Sequence, residues 1–214
     1  MRPTVQSGGV GMRFGLLGPL TVYDDEGTAH PVGGPKARAL LTALLLGANR
    51  VVSVDALKDA LWGADPPASA HASLHNHVTR LRRALTPLTG EDVLRAVAPG
   101  YLLRVAEGEL DTEVFQNRIA AARAAHAGRD WATTSVEAGA ALALWRGAPE
   151  PSVPGMDTLL QRLEEARLLA LEWRYDAELA MGDRMNAWSV PGYTGTRELG
   201  AGASGRVVLA VHED

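Results

Sequence analysis

The stretch from Ser69 to Leu85, Ser-Ala-His-Ala-Ser-Leu-His-Asn-His-Val-Thr-Arg-Leu-Arg-Arg-Ala-Leu, constrains this chain more than any other. At a helical period of about 100° per residue, Leu74, Val78, Leu81 and Leu85 fall on one narrow apolar stripe about 60° wide. Ala72, Asn76, Thr79, Arg80 and Arg83 lie opposite it. Ser73 and His77 flank the stripe on one side, His75 and Arg82 on the other. Ser69 is placed to cap the helix, directly after Pro66-Pro67, which cannot continue a preceding one. The segment holds three arginines and no acidic residue. Two readings fit that bias: a solvated basic helix, or a helix that sets its apolar keel in a core and offers base-reading and phosphate-binding groups outward.

Bulk properties exclude several classes. The 214 residues suffice for one or two domains with real cores. With no cysteine there is no disulfide framework, thiolate chemistry or zinc-finger site. No apolar run approaches the ~18 residues of a membrane span, and the N-terminus lacks a basic region followed by an apolar one, so a cytoplasmic protein is expected. The net charge of −4 hides an asymmetry: residues 12–108 carry 10 basic and 9 acidic side chains, residues 109–184 carry 8 and 13. A near-neutral unit with its positive charge gathered at Arg80–Arg83 is followed by an acidic one.

Residues 1–11 show no pattern and are expected to form a disordered tail; Met12 is the candidate start of the folded unit. Short extended pieces follow at Arg13–Leu17, Leu20–Tyr23 and His30–Val32, punctuated by Gly18-Pro19 and Asp24-Asp25-Glu26-Gly27, which reads as a small antiparallel sheet. Gly33-Gly34-Pro35 opens a helix over Lys36 to Ala48 with Leu40, Leu41, Leu44 and Leu45 on one face. Ser53 or Asp55 caps a short helix ending at Trp62, and the basic helix comes next. Val93–Val97 and Tyr101–Val105 then flank Pro99-Gly100, a hairpin signal. Strands, three helices and a hairpin make a winged helix-turn-helix, in which the third helix enters the major groove and the hairpin touches the backbone beside it. That order favours the DNA-reading alternative for Ser69–Leu85.

Several motifs follow in sequence: Phe14-Gly15-Leu16-Leu17-Gly18-Pro19-Leu20, Gly33-Gly34-Pro35-Lys36-Ala37-Arg38-Ala39-Leu40-Leu41, Leu61-Trp62-Gly63, Asp65-Pro66-Pro67-Ala68-Ser69-Ala70, His77 to Leu85 and Pro99-Gly100-Tyr101-Leu102-Leu103. Together they resemble the N-terminal half of a SARP-type transcriptional regulator with an OmpR-type winged helix, over 12–106. The region 109–183 reads as three helices: Glu109–Ala127, Asp130–Trp145, and Asp157 to about Met181 with Leu159, Leu160, Leu163, Leu168, Leu171 and Tyr175 as its apolar face. With Ala141-Leu142-Ala143-Leu144-Trp145-Arg146-Gly147 it resembles the tetratricopeptide-like bacterial transcriptional activation domain of SARP proteins, shortened so that an apolar face is left uncovered. The implied class is α+β: a winged helix with a small sheet and β wing, then an all-α domain.

Residues 185–214 differ again. Gly200, Gly202, Gly205 and Val207 spell G-x-G-x-x-G-x-V between strand-like flanks, which resembles the glycine-rich loop that covers ATP phosphates at the start of a protein kinase. The kinase lysine, H-R-D and D-F-G elements do not accompany it, and two strands alone do not hold a nucleotide. The segment is therefore read as a kinase-like fragment behind a shortened regulator, and no enzymatic activity is expected.

On the basic helix, Asn76 and Arg80 are candidates to read adenine and guanine edges, a solvated pair being the alternative. Ser73, Thr79, Arg82 and Arg83 are candidate phosphate or water-facing groups. The resemblance implies a phosphate contact for His77. Arg95 and Tyr101 bracket the wing, where Tyr101 either packs or touches DNA. His71, His75 and His77 do not form a metal site, since His77 lies about 200° around the helix from His75 and no carboxylate is near. No cofactor is implied. The expected partners are double-stranded DNA at direct-repeat promoter sites, RNA polymerase and a second copy on DNA, with no membrane. A serine/threonine kinase fragment binding ATP is the alternative function.

Overall fold

The computed structural model describes residues 13–89, 92–149, 153–182, 193–202 and 205–212. The expected tail at 1–11 lies outside them. An antiparallel sheet of β1 (Phe14–Gly15), β2 (Thr21–Tyr23) and β3 (Ala29–Pro31) opens the fold. Helix α1 (Pro35–Leu46) follows with Pro35 in its first turn, the position where a missing N–H costs nothing. Asn49, at φ 62°, turns the chain out of α1; its side chain donates to the Val105 carbonyl at 2.7 Å and accepts from the Val105 N–H at 3.0 Å. Strand β4 (Val51–Ser53) leads into α2 (Val54–Trp62), where Ser53, rather than Asp55, caps by accepting the Ala56 N–H at 3.1 Å.

Helix α3 (Ala70–Thr89) runs one turn beyond Leu85, with Pro87 inside its last turn. Its buried residues include Leu74, Val78, Leu81 and Leu85, the stripe read from the sequence. These pack with Leu40, Leu41 and Leu44 of α1 and Leu57 and Leu61 of α2 in one core. The wing, β5 (Leu94–Val97) and β6 (Gly100–Leu103), joins β4 in the order β4-β6-β5. Gly100 is required there, because a Cβ would collide with the Val52 carbonyl oxygen and lie 2.8 Å from the Ser53 Cα.

The helical region comprises α4 (Asp111–Ala127), α5 (Trp131–Leu142) and α6 (Met156–Ala180). Asp130 caps α5 by accepting the Thr133 N–H at 3.2 Å. Helix α5 ends three residues before the expected Trp145. The face of α6 expected from the sequence is also corrected. Met156, Leu163, Ala170, Trp173 and Ala177 are buried, whereas Leu168 is 65% and Tyr175 53% exposed. Met156, Leu163, Ala170 and Ala177 recur every seven residues, the seam of closely packed helices, and alanine at two of them lets α6 approach α4 and α5. Strands β7 (Tyr193–Gly202) and β8 (Gly205–His212) pair antiparallel, with Gly200 opposite Val207 and Gly202 opposite Gly205.

The first two units share a joint. Asp111, fully buried at the start of α4, accepts the N–H groups of Leu16 and Leu17, each at 2.8 Å, and receives Arg146 Nη2 at 3.2 Å. Arg146 Nη1 also donates to the Pro19 carbonyl and the Thr21 hydroxyl, both at 2.9 Å. Gly15 leaves room for the guanidinium, whose Cζ would lie 2.8 Å from a Cβ. Burial raises the Asp111 pKa, while the Leu16, Leu17 and Arg146 donors pull it down. The cores interleave around this point: Leu17 packs with Phe115 and Leu163, while Val153 and Met156 join the winged-helix core. Asp111→Ala would leave the buried Leu16 and Leu17 N–H groups and Arg146 Nη2 without their acceptor, so urea denaturation is expected to show a loss of about 3–5 kcal/mol. A loss below about 1 kcal/mol would mean that the joint does not hold the units together.

Candidate nucleic-acid interface

Burying Leu74, Val78, Leu81 and Leu85 turns the opposite face of α3 to solvent. Asn76, Arg80 and Arg83 are exposed there, at i, i+4 and i+7. None of the three side chains makes a hydrogen bond or ion pair within the described residues. Arginine side chains left without a carboxylate on a face that contains none are available for phosphate or base edges.

The other candidates are more engaged. Thr79 donates from its hydroxyl to the His75 carbonyl at 2.9 Å, a bond within the helix that leaves the oxygen's acceptor capacity. Ser73 is half-buried, its Oγ 3.5 Å from that of Ser69. Arg82 turns to the wing: Nε donates to the Leu94 carbonyl at 2.8 Å and lies 3.3 Å from Asp92 Oδ1. Its first task is to fix the wing against α3. Tyr101, on β6, has its hydroxyl 3.4 Å from His75 Nδ1, a second tie between helix and wing. Arg95 is exposed on β5, with Nε 3.4 Å from the Asp92 carbonyl.

His77 is half-buried at the edge of α3, its ring centroid 6.2 Å from that of Trp62. Burial, then the charges of Arg80 and Lys36, push its pKa below the ordinary histidine value. Lys36, from the first turn of α1, donates to the Leu61 carbonyl and holds its ammonium 5.5 Å from the Trp62 ring centroid. Lys36 was not singled out in the sequence. It lies 41 positions before His77, and only packing of α1 against α3 brings the two together.

Comparisons with known proteins agree with this arrangement. Residues 31–103 match the family described as transcriptional regulatory protein, C terminal, and residues 110–190 match the bacterial transcriptional activator domain. This is the two-module arrangement of a SARP-type transcriptional regulator. The regulatory protein AfsR of Streptomyces griseus is 36% identical over 87% of this chain and 19% of its own length. The regulatory protein DnrI of Streptomyces peucetius is 35% identical over 80% of this chain and 66% of its own. The transcriptional regulatory protein EmbR of Mycobacterium tuberculosis is 39% identical over 79% of this chain and 45% of its own. The chain thus spans less than half the length of AfsR and EmbR. A solved structure of Mycobacterium tuberculosis EmbR in complex with a low-affinity phosphopeptide superposes with a TM-score of 0.66 and 40% identity, covering 80% of this chain and 46% of that one. EmbR is by name a transcriptional regulatory protein, and both modules here match families described in transcriptional terms.

Because His77 is harder to protonate in the folded protein than in the unfolded chain, folding stability is expected to fall as pH drops through the ordinary histidine range. NMR titration of the His77 ring should give a midpoint below that of the same histidine in urea, moving upward in Lys36→Gln. A midpoint at or above the unfolded one would contradict the placement of these cations.

Proposed function

We propose that this chain regulates transcription by binding duplex DNA, with α3 in the major groove and the β5–β6 wing beside the backbone. The observation that carries this reading is the unpartnered, acid-free face of Asn76, Arg80 and Arg83 on a helix whose other side is locked in the core. Arg80 and Asn76 read base edges, the former suited to guanine and the latter to adenine. Arg83, Arg95, Thr79 and Ser73 neutralise or hydrogen-bond phosphates, and His77 supplies a phosphate contact at the helix edge. Arg82 and Tyr101 contribute through the wing they hold. The binding sites are direct repeats in the promoters of pathway genes, where two copies lie head to tail. The acidic helical unit offers its surface to RNA polymerase or to the neighbouring copy, and the output is activation.

The glycine-rich strands β7 and β8 carry the second reading, a kinase nucleotide loop at Gly200, Gly202, Gly205 and Val207. Glycines facing each other across the turn of a hairpin also serve the turn alone. Titration with ATP is expected to give no saturable binding; saturation would reinstate the kinase reading.

Fluorescence anisotropy on a direct-repeat promoter duplex tests the first. Arg80→Ala should lose about 5–150-fold in specific affinity, the worth of one bidentate base contact, with an unchanged thermal melt. Arg83→Ala should weaken specific and non-specific duplexes alike and flatten the salt dependence by about one phosphate. Unchanged affinity in a folded Arg80→Ala protein would sink the proposed orientation of α3.

A further inference from the structure

The β2–β3 hairpin, the entry to α1 and the C-terminal half of α3 enclose a cleft of about 470 Å³. Its floor is apolar: Val22, Leu81 and Leu85 are buried core residues, and Val32 and Leu88 are half-buried walls. One side brings together Lys36, His77 and Arg80, and no aspartate or glutamate lines it. Packed interiors rarely leave voids much larger than a water molecule, whereas a few hundred Å³ with an apolar floor and a few converging polar groups is typical of a small-molecule site.

The charge on that side is uncompensated. Lys36 meets a carbonyl and an aromatic ring, neither of which cancels its charge, and Arg80 has no carboxylate partner among the described residues. Burial, and then these same cations, depress the His77 pKa. Helix α1 adds to the field, since its first turn lines the cleft and carries neither a side-chain cap nor an acidic residue. A bare phosphate would satisfy the cations and leave Val32, Leu85 and Leu88 wet. A neutral apolar molecule would do the reverse.

We propose that this cleft binds a small amphiphilic anion: an organic carboxylate whose head group sits at Lys36, His77 and Arg80 while its hydrocarbon body covers Val22, Val32, Leu85 and Leu88. Arg80 belongs both to the cleft and to the outward face of α3. An occupied cleft therefore withdraws that guanidinium from DNA, a consequence that rests on the DNA-binding reading, whereas the ligand site itself does not.

The test is a set of amide correlation NMR titrations of the full chain, without DNA, using decanoate, decanol and inorganic phosphate. Decanoate should saturably shift amides between Val32 and Ala37 and between Arg80 and Leu88, about tenfold more tightly than either control, the worth of a charged hydrogen bond. Ala84→Trp, which fills the cleft from an exposed position on α3, should abolish those shifts, and Lys36→Gln should weaken decanoate to the level of decanol. Should Ala84→Trp fail to fold, Lys36→Gln carries the test. Equal binding of phosphate would overturn the proposal in favour of a seat for the DNA backbone. Equal binding of decanol, or shifts centred on Leu168 to Leu179 that ignore both substitutions, would overturn it in favour of a merely apolar surface. Displacement of a labelled duplex by decanoate then reads the coupling separately: its failure with the cleft binding intact removes the competition and leaves the site.

Discussion

The fold turns on one buried carboxylate. Asp111 is withdrawn from water at the point where the winged helix ends and the helical unit begins, and it is satisfied from both directions: two backbone N–H groups from the first unit and a guanidinium from the second. A buried charge is tolerated only with such partners. The geometry they demand fixes the β1 loop, the start of α4 and the end of α5 relative to one another. Arg13 adds to the lock from the adjacent side, with its Nε 2.8 Å from Glu109 Oε1, and the Arg13 and Phe14 N–H groups both reach the Glu109 carbonyl at 2.8 Å. Since Leu17 belongs to one core by sequence and to the other by packing, neither unit buries its apolar surface alone.

This joint explains a motif that has the local pattern of an ordinary turn. Phe14-Gly15-Leu16-Leu17-Gly18-Pro19-Leu20 has the pattern of strand, turn and strand. Gly15 is bare because Arg146 passes over it, and Gly18, at φ 138°, brings the chain round within 3.1 Å, measured from an added Cβ, of the Arg146 Cβ. The partners are 131 and 128 residues away in sequence, so no local period announces them. Where the controlling physics was local, the sequence was legible. The α3 stripe, the Ser53 and Asp130 caps and the Pro-Gly wing each follow from residues within one turn of one another.

Helix α6 departs from its sequence pattern for a different reason. Its leucines point to a face through Leu168 and Tyr175, and hydrophobicity alone favours that face. Close approach of α4 and α5 instead selects the seam where Ala170 and Ala177 remove bulk and Trp173 fills the remaining space. A small residue that admits a neighbouring backbone scores poorly as an apolar anchor, although it decides which side of the helix is inside.

The candidate interface shows the same division between direction and partnership. A helical wheel gives the side to which Asn76, Arg80, Arg82 and Arg83 point, but it does not separate a guanidinium spent on the fold from one left over. Arg82 is spent: its bond to the Leu94 carbonyl ties the wing to α3. Arg80 is left over, and the structure sets beside it the His77 imidazole of the preceding turn and Lys36 from another helix. Burial first, and then the charges of Arg80 and Lys36, hold the His77 pKa below the ordinary histidine value, so the imidazole resists taking on a third positive charge there. An anion at α3 would meet Lys36 and Arg80 in a cleft that no carboxylate lines, on a scaffold that the deeply paired Asp111 holds together.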